Sequence, residues 1–403
     1  MGERILDFSF SSEEDAVRDT ARRFAQDKLA PGYLAREKEG KLDRALVEEM
    51  GSLGLVAPNA AEEYGGFGAG AFVTGIVMEE ISKADMNMGY MQIIAPLITS
   101  ILERNAPELA RETVPQICAG TQIMALGLTE PGAGSDAANI RLSAVREGDV
   151  FVLNGEKTSI SLADQADQIV LFTRTGTVEE GAAGVTAFLV PLKSAGISVS
   201  RFEDVGSMSI GRGSVIFDDV EIGADRMIGG EGMGFKAVMR GFDFSRALIG
   251  IQCLAAAYAS IEETWQYITQ RQAFGQAISN FQGVTEPLAE AETKMAAARL
   301  LCLQTLGLRD HDMPHTAEAS MCKWWPPQLA FEVIHTCLQL HGHNGYSREY
   351  PHQQRLRDVM GLHIGDGTKQ IQKMVIAREK LKQYGGWRRT IAIRNIHAVS
   401  YLR

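Results

Sequence analysis

Apolar positions in the first 123 residues recur at helical spacing. Ser11-x-x-Glu14 has the form of a capping box ahead of an amphipathic run through Val17, Ala21, Phe24 and Leu29, and Pro31-Gly32 predicts where that run stops. Asp43 to Leu53 reads as a second helix closed by Gly54, and Phe72 to Ile81 and Tyr90 to Leu102 as apolar helices that bury against something larger. From about Leu126 the period shortens. Phe151-Val-Leu-Asn-Gly, Gln168-Ile-Val-Leu-Phe-Thr, Val185-Thr-Ala-Phe-Leu-Val and Ser214-Val-Ile-Phe, separated by Gly, Asp and Asn turns, predict a compact antiparallel β domain, a barrel or sandwich, ending near Gly229-Gly-Glu-Gly-Met-Gly. Beyond Phe235 helical periodicity returns in four long segments: Phe235–Gln270, Glu286–Leu308, Ala317–Leu340 and Arg355–Lys382. Four such segments with short connections predict a bundle, its third helix kinked or restarted at Pro326-Pro327 and its fourth interrupted near Asp366. The expected architecture is α+β: an all-α domain over 1–123, a small antiparallel β-barrel or sandwich over 124–232, a four-helix bundle over 233–383, and a tail, 384–403, with no core face and no assigned role.

Composition narrows the function classes. The chain of 403 residues is 45% hydrophobic and 22% charged, ordinary for a globular protein of two or three cooperating domains. A net charge of −10 with both signs scattered argues against nucleic acid or an anionic membrane as main partner. The apolar runs read as shorter than a membrane span, and the N-terminus lacks the apolar core of a secretory signal, so a cytoplasmic location is expected. Cys118, Cys253, Cys302, Cys322 and Cys337 are odd in number and widely separated, which fits buried thiols in a reducing compartment. His335, His341 and His343 near Cys337 lack the spacing of a metal set, so no metal site is expected. Glu62-Glu-Tyr-Gly-Gly-Phe-Gly is glycine-rich but is followed by no Lys-Ser/Thr, which excludes a phosphate-cradling loop of that kind.

The candidate chemistry sits at Gly365-Asp366-Gly367-Thr368, between two helical patterns. One carboxylate between two residues without side chains lets a ligand approach the backbone closely, and such a carboxylate is a candidate general base. Read alone, the same residues are better explained as a turn, with Asp capping the helix that follows.

Other motifs change that balance. Ala125-Leu-Gly-Leu-Thr-Glu-Pro-Gly-Ala-Gly-Ser-Asp136 resembles the first signature of the acyl-CoA dehydrogenase family. Leu153-Asn-Gly-Glu-Lys157, Arg271-Gln-Ala-Phe-Gly-Gln-Ala-Ile278, Gln282, His341-Gly-His-Asn-Gly-Tyr-Ser-Arg-Glu-Tyr350 and Gly365-Asp-Gly-Thr368 resemble the rest, in the family's order, over residues 5 to about 382. The resemblance implies FAD as cofactor. Leu126, Leu128, Thr129, Gly134 and Ser135 would line the flavin, with Ser159 and Ser161 beside it and Ser135 between flavin and thioester. Arg271, Phe274 and Gln282 would reach the FAD of a neighbouring subunit in a homotetramer, a dimer of dimers. Gln339, Gly342 and His343, with Thr368 and Gln370, would hold the adenosine half. Phe242, Asp243 and Arg246 would meet the CoA arm, although Arg246 reads equally as a structural ion pair. An electron-transfer flavoprotein would be the electron acceptor.

The departures bear on substrate. The family usually has Trp where Ser159 stands and Thr where Ser161 stands, and Glu preceded by Tyr where this chain has Asp366 preceded by Gly365. Members that take the base from the earlier helix have Glu at the position of Ser245, which cannot serve. Asp366 is thus the carboxylate that matches a base position, with its amide and Gly365 and Gly367 beside the thioester. By resemblance Asp366 takes the α-proton and flavin N5 the β-hydride. A shorter base and lost bulk at 159 and 365 imply a pocket widened for an α-branched or cyclic acyl group. The Cys322-Lys-Trp-Trp and Ile364-Gly-Asp-Gly-Thr text is similar to the subgroup acting on cyclohexane-1-carboxyl-CoA. A short branched-chain acyl-CoA, or an oxidase of a small carbon acid on the same fold, are the competing readings.

Overall fold

The computed structural model describes residues 10–385; residues 1–9 and all but the first two of the predicted tail 384–403 lie outside the described residues. Helix α1 (Ser12–Phe24) starts at a complete capping box, in which the Glu14 amide donates to Ser11 Oγ (3.2 Å) and the Ser11 amide to Glu14 Oε2 (2.7 Å). The expected stop at Pro31-Gly32 is corrected. The chain passes through a π turn (Ala25–Leu29) and a 3-10 turn (Ala30–Gly32) directly into α2 (Tyr33–Glu39). Pro31 sits at the start of its turn, where its missing N–H leaves no bond unmade. Helices α3 (Arg44–Ser52), α4 (Ala71–Ala84), α5 (Met91–Asn105) and the unforeseen α6 (Pro107–Cys118) complete the helical part.

Eight strands follow: β1 (Met124–Gly127), β2 (Ser143–Glu147), β3 (Val150–Ser161), β4 (Gln168–Arg174), β5 (Val185–Pro191), β6 (Ile197–Arg201), β7 (Arg212–Gly223) and β8 (Met227–Ile228). They pair as β6-β7-β3-β2-β4-β5-β8, with β1 beside β4. The expectation of a purely antiparallel barrel or sandwich is corrected, because β1 runs parallel to β4 and β2 meets the end of β4 in parallel at Ser143–Arg174. The apolar runs of β4 and β5 are buried on both faces, and their side chains merge with the N-terminal helices into one core.

Helix α7 (Gly234–Gln270) leads through a small hairpin, β9 (Gln272–Ala273) and β10 (Gln276–Ala277), to α8 (Gln282–Asp310), α9 (Thr316–Leu340), the short α10 (His343–Tyr346), α11 (His352–Leu362) and α12 (Lys369–Gln383). Helix α9 packs against α7, α8, α11 and α12. Pro326 and Pro327 lie inside it and do not break it, so the helix is not restarted there. The carbonyl that Pro326 leaves without a helical donor, that of Cys322, faces Gly250 of α7, where a Cβ would stand 2.9 Å from that oxygen and 2.7 Å from Cys302 Sγ. The close α7–α9 crossing therefore needs glycine at 250. Helix α7 is long and apolar enough to cross a membrane, contrary to the reading of the apolar runs, but 94% of its most apolar window is buried inside the fold.

Helix α11 joins all three parts. Buried Asp358 accepts from Tyr33 Oη (3.0 Å) and Asn87 Nδ2 (3.1 Å) of the helical part, and from the Ser207 amide (2.6 Å) of the sheet. Its neighbour Arg357 pairs with Glu37 (2.5 Å) and donates to the Val205 carbonyl (2.9 Å). Asn87 is itself fixed by Asp85, which accepts its amide (2.9 Å) and pairs with buried Arg36 (2.7 Å). Burial pushes the Asp358 carboxyl from its ordinary 3.8 up to about 7, outweighing the Ser207 and Tyr33 donors that pull it down.

Because the folded value lies above the unfolded one, the folded state holds the proton more tightly. Its contribution is fully present below pH 3.8 and is lost as pH rises toward 7. Asp358→Asn, neutral and similar in shape, should remove that part of the pH dependence of the thermal midpoint. Asp358→Ala should cost about 3 kcal/mol by leaving buried donors unpaired. Midpoints measured from pH 4 to 8 check both; an unchanged slope and midpoint would contradict the clasp.

Candidate active site

The Asp366 loop is held from two sides. Asp366 has φ +54, a left-handed backbone supported by its glycine neighbours, and Gly367 has φ +94. Its carboxylate does not cap α12; the cap position belongs to Thr368. Instead Asp366 Oδ2 accepts from Ser245 Oγ on α7 (3.0 Å), while its carbonyl accepts from Gln372 Nε2 (2.9 Å). Ser245, unfit as a base, is therefore the base candidate's hydrogen-bond donor.

Lys323 fastens the same loop. Only 1% exposed, its Nζ donates to the Leu362 carbonyl at the end of α11 (2.6 Å) and to the Gly367 carbonyl (3.4 Å). Burial drives its pKa from 10.5 down to about 8, and the Asp366 carboxylate is the main influence opposing that fall. Across the loop stands Tyr90, the residue just before α5. Its hydroxyl is pushed up to about 12 by burial, helped by the charge of Asp366 and opposed by a hydrogen bond with Ser161. The fold thus gathers Asp366, Ser245, Lys323, Tyr90 and Ser161 at the meeting of α7, α9 and β3. Lys323 entered the sequence reading only as motif text and Tyr90 only as the start of a helical run, since each looks like one more position in a helical pattern.

The glycine-rich turn after β1 is locked to β3. Buried Lys157 donates to the Leu128 carbonyl (3.1 Å) and to Glu130 Oε1 (2.7 Å), and Glu130 accepts the Arg141 and Leu142 amides. The Thr158 amide donates to the Thr129 carbonyl (2.9 Å). Leu126 and Leu128 lie in this locked segment, Ser135 and Gly134 are exposed beyond it, and open space faces Gly132 and Gly134. The Lys157–Glu130 pair was quoted only as motif text; its partners make it the fastener. Ser159 has φ +58 where β3 slips register against β7 between Lys157 and Ile160, and it faces solvent.

On α7, one to three residues from Ser245, Arg246 pairs with Asp243 (3.1 Å) and lies over the Phe242 ring (5.8 Å). Asp243 also accepts from Thr316 Oγ1 (2.6 Å). Both readings of Arg246 persist, because its Nε is buried with no acceptor among the described residues.

A second group stands apart. Arg271 ends α7, Gln282 begins α8, and between them the β9–β10 hairpin turns on Phe274 and Gly275, both at positive φ as a two-residue hairpin demands. Phe274 is 94% exposed. Gln339, Gly342 and His343 are exposed near the end of α9, tied to the hairpin root where His341 stacks on Tyr267 (4.2 Å). Gly342 (φ +60) faces open space, Gln370 is exposed, and the Thr368 hydroxyl makes no cap bond. Among the described residues no three His, Cys, Asp or Glu side chains gather as a metal set.

Family models describe this order of parts. Those for the acyl-CoA dehydrogenase N-terminal, middle and C-terminal domains match residues 11–121, 125–220 and 232–381. The chain belongs to the acyl-CoA dehydrogenase family. These are oxidoreductases that act on CH–CH groups of acyl-CoA, and the family uses FAD. The chain is 33% identical to the short-chain specific acyl-CoA dehydrogenase of Bos taurus mitochondria, over 91% of this chain and 90% of that protein. It is 31% identical to subunit CarC of the caffeyl-CoA reductase–Etf complex of Acetobacterium woodii, over 93% of this chain and all of that protein. The butyryl-CoA dehydrogenase structure from Megasphaera elsdenii superposes with a TM-score of 0.90 at 28% identity, covering 93% of this chain and all of that one. An acyl-CoA dehydrogenase needs a carboxylate at the substrate α-carbon and a cofactor cradle. The open turn at Gly132–Ser135, the free Thr368 hydroxyl and the exposed Arg271 guanidinium have the chemistry to accept a flavin dinucleotide.

Lys323→Met should release both ends of the Asp366 loop and lower turnover by about 10²-fold, the scale expected of an ångström misplacement. Steady-state rates on flavin-loaded protein of unchanged fold check this; full activity would show that Lys323 does not position the loop.

Proposed function

We propose that this chain is a dehydrogenase of alicyclic acyl-CoA in which Asp366 removes the α-proton, turning a substrate such as cyclohexane-1-carboxyl-CoA into the cyclohex-1-ene thioester. The observation that carries the reading is the placement of Asp366, aimed at Ser245 on α7 instead of capping α12. FAD, when bound, would supply the hydride acceptor for the β-carbon. Leu126, Leu128, Thr129, Gly134, Ser135, Ser159 and Ser161 are the proposed flavin contacts, with Gln339, Gly342, His343, Thr368 and Gln370 toward the adenosine half. Arg271, Phe274 and Gln282 are assigned to a neighbouring subunit's FAD in a homotetramer; the 94% exposure of Phe274 supports a role outside its own chain. Phe242, Asp243, Arg246 and Ser135 meet the CoA arm, and the Asp366 amide, between Gly365 and Gly367, meets the thioester oxygen.

Each side chain has a defined task. Ser245 orients the carboxylate, Lys323 holds the loop that carries it, and Tyr90 with Ser161 bounds the acyl space opposite. Small groups at Ser159 and Gly365 leave width, while Tyr90 takes away depth, which favours a broad, short acyl group over a long chain. The likeness to short-chain and butyryl-CoA enzymes favours a second reading, a short branched-chain acyl-CoA. An electron-transfer flavoprotein is the proposed electron acceptor, supported by the relative that works in an Etf complex.

Turnover across linear, branched and cyclic thioesters decides among substrates: cyclohexane-1-carboxyl-CoA should give the highest kcat/KM, and preference for a linear chain would overturn the wide-pocket reading. Asp366→Ala should bind flavin normally and lose roughly 10³-fold in turnover, the scale of general-base catalysis. A flavin-loaded Asp366→Ala with full turnover would exclude Asp366 as the base.

A further inference from the structure

Away from the Asp366 loop, a cleft of about 90 Å³ lies between the last turn of α5, the first turns of α7 and the end of α8. Arg104, Lys236, Arg240 and Arg309 line it, and no carboxylate does. On a chain of net charge −10 such a cleft is unexpected. None of the four takes part in an ion pair among the described residues. The carboxylates nearest Arg309 include Asp310 and Asp243, and both are engaged elsewhere: Asp310 accepts the Ala71 and Phe72 amides at the start of α4, and Asp243 serves Arg246 and Thr316. The Arg309 guanidinium is held over the Phe244 ring at 4.4 Å, and burial and the charge of Arg104 both work against its proton. Like charges gathered without counter-charge repel one another, and a bound anion removes that cost. The positive end of the α7 dipole lies at the same place, at an N-cap (Met233) that supplies no side-chain acceptor.

We propose that this cleft binds the phosphate of a phosphate-bearing ligand. Three guanidinium forks and an ammonium around so small a space suit a tetrahedral oxyanion better than a planar carboxylate. The row Lys236, Arg240, Asp243, Arg246 runs along one side of α7 at helical spacing, from the cleft to the residues assigned to the CoA arm. About 13 Å of helix separate Lys236 from Ser245, a distance a pantetheine arm can span. The phosphate can belong to the CoA ester, which rests on the acyl-CoA reading above, or to a separate phosphate compound, which does not.

The test is calorimetric titration of the flavin-loaded protein with CoA, 3′,5′-ADP and inorganic phosphate. Wild type is compared with Arg104→Gln/Arg240→Gln, both exposed positions, and with Arg240→Glu alone should the double variant lose its fold or flavin. The proposal expects 3′,5′-ADP or phosphate to bind wild type and to weaken about tenfold or more in the variant, one lost charge-assisted contact being worth that much. If CoA weakens in step and KM for the acyl-CoA rises with kcat unchanged, the CoA phosphates occupy the cleft. If KM stays fixed while the phosphate probes weaken, a separate phosphate compound does. Binding of all three probes equal to wild type, or no binding of any probe to wild type, would overturn the proposal, while the Asp366→Ala result would leave the dehydrogenase reading standing or falling independently.

Discussion

The position of one loop depends on how α11 is tied down. Asp358 and Arg357 bind this helix to the N-terminal helices through Tyr33, Asn87 and Glu37, and to the sheet through Ser207 and Val205. Four residues past Asp358 the helix ends at Leu362, whose carbonyl receives Lys323, and four residues further stands Asp366. The carboxylate therefore inherits its location from three domains at once. A loop of glycines alone could not hold it, since glycine adds freedom where a base needs a fixed direction. Buried ion pairs and buried acids contribute little net stability; what they contribute here is a single arrangement, because any other leaves charged groups in the interior unpaired.

The same device recurs at the turn after β1. Lys157 and Glu130, both buried, bind the turn after β1 to β3 and leave the backbone beyond it open and free of side chains. Tyr90 and Ser161 stand beside the loop that carries the candidate base.

Much of this was legible in the chain. The capping box at Ser11, the helix from Asp43 to Leu53, the long helices of the C-terminal part and the buried runs of β4 and β5 follow from local chemistry and period, and the structure has each of them. Other features were not. Pro31 and Pro326 look like stops, yet one sits at the start of a turn where no N–H is missed and the other faces a glycine on α7, a contact distant in sequence. The parallel pairing of β1 with β4 involves segments some forty residues apart with nothing local to announce it. Asp366 could be singled out by family likeness, but its carboxylate direction could not, because a turn Asp and a base Asp differ only in what lies across from them. Lys323, Tyr90 and the Lys157–Glu130 pair were invisible for the same reason: their roles are defined by partners on other elements.

The central claim, that Asp366 is the group that takes the substrate α-proton, is tested most directly by proton exchange. Flavin-loaded protein in D2O is incubated with cyclohexane-1-carboxyl-CoA under conditions of no net turnover, and the α-proton signal is followed by NMR. Wild type is predicted to exchange that proton for deuterium while Asp366→Asn, of the same shape, does not. Exchange by Asp366→Asn at the wild-type rate would contradict the account.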